Sequence, residues 1–203
     1  INQCPHQLDL LQWVVGKKPV SVNGFCEYGK WHDIEVEDEV TAYLRYKNGA
    51  TGVFITTTGE APGGNRLEIS GTKGKLLCEN DKIEFYRLSE DVNEFSKHNE
   101  VLFAQPKEEK IAVETDGKNP QHLGIINNFT QAILGKEKLF VSGADGISSV
   151  ELMNAIEYSG WRGGAETQIP VDENEYLNAL NKKRESSRRK NVAEKIADTT
   201  GTY

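Results

Sequence analysis

The spacing of hydrophobic positions changes twice along this chain. The changes divide it into a helix, a run of strands and a second helical part. Residues 6–15, HQLDLLQWVV, place Leu8, Leu11 and Val15 at helical spacing, and Leu10, Trp13 and Val14 widen the stripe. Gly16 is a natural stop. PVSVNGFCEYG then reads as a strand from its Val, Phe and Tyr content. In EDEVTAYLRYKNGATGVFITTTG, Val40, Ala42, Leu44 and Tyr46 alternate with polar partners. Asn48-Gly49 predicts a hairpin turn there, because both residues tolerate positive φ. NRLEISGTKGKLLCEN repeats the arrangement around Gly71-Thr72-Lys73-Gly74, and DKIEFYRL is a further strand. Residues 89–119 are polar and irregular, with strand-like pieces around Val101–Phe103 and Ile111–Val113, and predict an edge strand and loops. After Pro120 the helical period returns, with Leu123, Ile126, Phe129 and Ile133 on one face and Gly135 as the stop. Ile147, Val150, Met153, Ile156 and Tyr158 repeat it after Asp145-Gly146, and TQIPV reads as a short strand.

Strands joined by tight turns are antiparallel. Helices grouped before and after them predict an α+β fold: an open, predominantly antiparallel β-sheet with helices packed on one face. The second face, read from Thr41, Tyr43, Arg45, Thr51, Val53, Ile55 and Thr57, is half apolar. It predicts a sheet-to-sheet contact in a homo-oligomer, a dimer or tetramer. The domain is expected to span residues 1–175. Residues 176–203 read as a polar, basic tail, partly helical or disordered.

Composition narrows the function. The 203 residues are 37% hydrophobic, which suits one domain with a sizeable core. A net charge of −7 argues against nucleic acid, whose partners are broadly basic. No apolar run is long enough to span a membrane. Cys4, Cys26 and Cys78 lack the CxxC spacing of a zinc cage or disulfide framework and read as reduced thiols in a cytoplasmic protein. No GxGxxG follows a strand and no GxxxxGK[ST] is present, so no phosphate cradle is expected. A helical pattern that starts almost at residue 1, with no Met, reads as a piece of a longer protein.

Candidate chemistry is sparse. His6 and Asp9 lie three apart and share a helix face after Pro5, but an ordinary amphipathic helix start accounts for that spacing equally well. His32 lies in Trp31-His32-Asp33, before an acidic run from Glu35 to Glu39 that reads as a solvated face unless its carboxylates converge. Asn65 and Arg66 close a glycine-rich loop, residues 59–66, which reads either as a wide turn or as the lining of a site. His122 starts a helix, and taken alone it is more often structural.

Three segments carry more. NQCPHQLDLLQW, GKWHDIEVEDEVTAYLRYKNGATGVFITTTGEAPGGNRLEISGTKGKL and NPQHLGIINNFTQAILG, in this order and spacing, resemble the C-terminal domain of the Gfo/Idh/MocA family, relatives of glucose–fructose oxidoreductase and inositol dehydrogenase. The resemblance spans roughly residues 1–175. It implies an N-terminal Rossmann domain that binds NAD or NADP and carries a catalytic lysine, neither of which is in this sequence. The present domain then supplies substrate-binding side chains and oligomer contacts. His6 matches the family histidine that accepts a hydroxyl proton, and Asp9 matches the aspartate downstream. The family places another Asp where this chain has Asn2, which can hydrogen-bond a hydroxyl but take no proton. Asn65, Arg66, His32 and His122 are the further substrate contacts that the resemblance suggests.

The resemblance implies the substrate-binding domain of an NAD(P)-dependent sugar or polyol dehydrogenase, inactive without its cofactor domain. Two other readings stay open. One is a non-catalytic carbohydrate-binding or scaffold domain. The other is a metal-assisted keto-sugar lyase or isomerase that uses His6, His32, Asp9 and the acidic run.

Overall fold

The structure, a computed structural model, describes residue 1 and residues 3–188. The chain runs α1 (Pro5–Val15), β1 (Ser21–Tyr28), β2 (Glu37–Arg45), β3 (Thr51–Thr57), β4 (Arg66–Gly71), β5 (Gly74–Glu79), β6 (Lys82–Leu88), α2 (Val92–His98), β7 (Glu108–Ile111), α3 (Gln121–Ile133), α4 (Ile147–Trp161), β8 (Thr167–Gln168) and α5 (Glu173–Ser186). The α+β class and the antiparallel pairing match the expectation from the hydrophobic pattern. The strands divide between two four-stranded sheets, ordered β3-β2-β1-β8 and β4-β5-β6-β7, where one open sheet was expected. The cause is local. Residues 58–65, with three glycines, carry the chain away from β3, and among the described residues β4 pairs only with β5.

The core lies between the first sheet and α4. Val40, Ala42 and Leu44 of β2 are buried with Val22, Phe54, Leu8, Leu152, Ala155 and Ile156. Gly24 lets α4 come close, since a Cβ there would stand 2.5 Å from the Ile156 carbonyl oxygen. Ser159, fully buried, joins the layers: its hydroxyl accepts from the Gly24 N–H at 2.8 Å and donates to the Ala165 carbonyl at 2.6 Å. α1 packs on α4 through Leu8. The opposite sheet face carries Phe25, Thr41 and Ile55 in one row of paired positions, with Phe25 at 55% and Ile55 at 68% exposure.

The helical stripes are less covered than their spacing predicts. On α1, Leu10, Trp13 and Val14 are exposed, and on α3 so are Leu123, Ile126, Phe129 and Ile133. Among the described residues no strand packs on these faces, and α3 stands beside the core layer without entering it. The stretch expected to hold loops contains α2, started by Asp91, whose side chain accepts from the Asn93 N–H. Val101–Phe103 form a turn, not a strand, and β7 ends at Ile111. α5 begins at Glu173, inside the span first given to the domain, and Asp172 caps it through the N–H groups of Asn174 and Glu175. The rest of the basic tail, residues 189–203, lies outside the described residues. Among the described residues no helix is long and apolar enough to cross a membrane.

Candidate functional site

The start of α1 presents His6. Pro5 at the first helical turn needs no N–H partner there, and Cys4 gives the helix no side-chain cap. His6 and Asp9 line a cleft of about 670 Å³ together with Gln12, Lys18, Asp145 and Ser149. The Asp9 carboxylate accepts a hydrogen bond from Ser149 Oγ at 3.0 Å, which ties α1 to the first turn of α4. His122, near the start of α3, meets His6 edge-on, with ring centroids 6.4 Å apart at 67°. Three helix N-terminal regions, those of α1, α3 and α4, thus converge on one place. Backbone N–H groups left unpaired at such ends favour an electron-rich ligand oxygen.

Of the expected site residues, the structure brings together His6, Asp9 and His122. His32 lies elsewhere. It lines a second cavity of about 670 Å³ with Glu37, Asp38, Thr56, Asn154 and Glu157, and Met153 borders both cavities. The loop that holds His32 is fixed by Asp38, a buried residue whose carboxylate accepts the N–H groups of Lys30, Trp31 and His32 at 3.2, 2.7 and 3.0 Å. Burial alone would raise that carboxyl, but the three donors outweigh it and hold Asp38 below the usual carboxylate range. Arg66 belongs to the second sheet, where Glu68 at 2.6 Å and Glu79 at 3.6 Å occupy its guanidinium. Asn65 is exposed just before it. Asn2 lies outside the described residues. Ser149 and Gln12 were missed because each sits among the apolar positions of a helical repeat. The only signal was a hydroxyl three residues after Gly146, at a helix start.

The acidic run does not converge into a metal cage. Among the described residues, no three His, Cys, Asp or Glu side chains are placed to share an ion. Glu37 instead lies beside Glu157. Burial raises the Glu157 carboxyl, a hydrogen bond from Tyr176 at 2.7 Å lowers it, and the neighbouring Glu37 raises it again, for a net upward shift. Burial also pushes the Cys26 thiol up to about 11.

Residues 1–77 match the family model described as the GFO/IDH/MocA C-terminal domain. Solved structures share the chain's fold. The WlbA dehydrogenase from Bordetella pertussis, in complex with NADH and UDP-GlcNAcA, is 24% identical with a TM-score of 0.62, over 84% of this chain and 44% of that one. An aldose-aldose oxidoreductase from Caulobacter crescentus, complexed with glycerol, is 20% identical with a TM-score of 0.60, over 81% and 45%. UDP-N-acetylglucosamine 3-dehydrogenase GnnA from Acidithiobacillus ferrooxidans is 19% identical with a TM-score of 0.57, over 75% and 45%. The chain therefore spans less than half the length of these proteins. No curated protein matches it. His6 and Asp9 fall within the matched residues, whereas His122 and Ser149 lie beyond them.

Proposed function

We propose that this chain is a C-terminal domain of the GFO/IDH/MocA kind, the substrate-binding part of an NAD(P)-dependent dehydrogenase that interconverts a secondary alcohol of a sugar or polyol and its ketone. The observation that carries the reading is that His6 and Asp9 of α1 and Ser149 of α4 line one cleft, with His122 of α3 edge-on to His6 beside it. An imidazole is the side chain suited to take a hydroxyl proton near neutral pH. In this reading His6 takes that proton. Asp9, held by Ser149, and His122 orient the hydroxyls around it.

The chain does not fit the dinucleotide itself. All its ladders among the described residues are antiparallel, and no glycine-rich turn leads from a strand into a helix to cradle a pyrophosphate. A nicotinamide cofactor, as found with the Bordetella dehydrogenase, would supply the hydride acceptor from a separate domain. We assign the exposed apolar faces of α1 and α3 to contact with that domain. The row Phe25–Thr41–Ile55 is assigned to a sheet-to-sheet contact with a second copy in the cytoplasm. Ile55→Lys is expected to lower the mass seen by sedimentation of the whole protein; an unchanged mass would remove the sheet from the interface.

The experiment is NAD(P)H production by the whole protein across polyols, sugars and glycosides. Turnover with one class supports the reading and names the substrate. A protein that binds the cofactor and turns over none of them favours the non-catalytic carbohydrate-binding reading. The isolated chain is expected to show no turnover.

A further inference from the structure

A separate cleft of about 630 Å³ opens between the C-terminal end of α4 and the second half of α5. Arg162, Lys182 and Lys183 line it, with Tyr158, Trp161 and Glu175. None of the three cations forms an ion pair among the described residues. Two of them lie against rings: the Arg162 guanidinium is 5.1 Å from the Tyr158 ring centroid, and Lys183 Nζ is 5.7 Å from that of Tyr28. Glu175, the one carboxylate, accepts from the Tyr158 hydroxyl at 3.2 Å. Trp161 is fixed by stacking on Tyr176, with centroids 5.4 Å apart at 26°.

This concentration of positive charge stands out in a chain of net charge −7. The dipole of α5 accounts for lysines in its last turn, but not for an arginine that arrives from another helix beside an immobilised indole. We infer that the cleft binds a nucleoside phosphate. The cations take the phosphate oxygens, for which a guanidinium offers a fixed fork of donors. The indole and phenol give the base a flat apolar wall. Ser149 and Arg162 stand at opposite ends of α4, about 20 Å apart at the helical rise, and no residue lines both this cleft and that of His6. The site is therefore distinct from the proposed catalytic one and does not rest on the dehydrogenase reading.

The test is calorimetric titration of the chain with UDP and ADP, and separately with inorganic phosphate and with uridine. Saturable binding of a nucleotide is expected, at least tenfold tighter than either half alone, and weakening as salt rises. Arg162→Ala combined with Lys182→Ala and Lys183→Ala should lower affinity at least tenfold, and His6→Ala should leave it unchanged. Lys182→Glu, a change on the helix surface, guards against a folding defect and should weaken binding in the same direction, with the melting temperature preserved. No saturable binding of either nucleotide, binding unaffected by these substitutions, or binding lost in His6→Ala would overturn the inference.

Discussion

Ser149 Oγ stands 3.0 Å from the Asp9 carboxylate across 140 positions of sequence, and so joins the helix that carries His6 to α4. Asp9 is exposed in the cleft, so the hydroxyl serves orientation more than stability. Ser149→Ala is expected to leave folding intact and to lower kcat/KM of the whole protein by about tenfold to a hundredfold, the scale of a misplaced contact. Ser149→Thr, which keeps the hydroxyl, should restore most of it. Steady-state kinetics on the three proteins checks this.

Ser159 performs a different task with the same group. Its hydroxyl is the hydrogen-bond acceptor of the buried Gly24 N–H and also caps the Ala165 carbonyl. Ser159→Ala leaves the Gly24 N–H unpaired in a dry interior, while the Ala165 carbonyl keeps its bond from the Thr167 hydroxyl at 3.1 Å, and should cost about 1–3 kcal/mol. Urea unfolding of the chain measures it.

Much of the fold was legible because its signals are local. The Asn48-Gly49 turn and the alternation of Val40, Ala42 and Leu44 place β2 and β3 and their buried face without any tertiary information. The division into two sheets was not legible, since strand pairing at long range depends on where residues 58–65 steer the chain. Asp91 and Asp172, the caps of α2 and α5, were available signals, outweighed by the polar composition around them. At the site, a shared helix face did not by itself set His6 and Asp9 apart; the resemblance of the segment around them did. Arg66 and His32 looked equivalent to them in one dimension, and folding sends the first to a carboxylate pair and the second to another cavity. Ser149 could not be foreseen, because its role is set by the packing of α1 on α4.

Glu157 makes stability depend on pH. Its carboxyl is raised in the folded chain, first by burial and further by Glu37, against the lowering effect of Tyr176. The folded state then binds the proton more tightly than the unfolded chain. This contribution is fully present below the ordinary glutamate value and is lost as pH rises through the raised one. Glu157→Gln keeps an acceptor for Tyr176 and offers an amide to Glu37. It should stabilise the chain at pH 7 by on the order of 1 kcal/mol. The melting temperature of the variant should exceed that of the parent by more at pH 7 than at pH 4. A difference between variant and parent that does not change between pH 4 and pH 7 would contradict it.

The account rests on His6 as the proton acceptor, with the other loop histidine elsewhere. The direct measurement is kcat/KM of the whole protein, on the substrate found by the panel, for His6→Ala and His32→Ala side by side, each with its cofactor affinity. The prediction is a loss of a hundredfold or more for His6→Ala, in the range of a removed general base, with cofactor binding kept and His32→Ala within about threefold of the parent. Full turnover by His6→Ala, or an equal collapse in both variants, would contradict the assignment of the site to the cleft where α1, α3 and α4 meet.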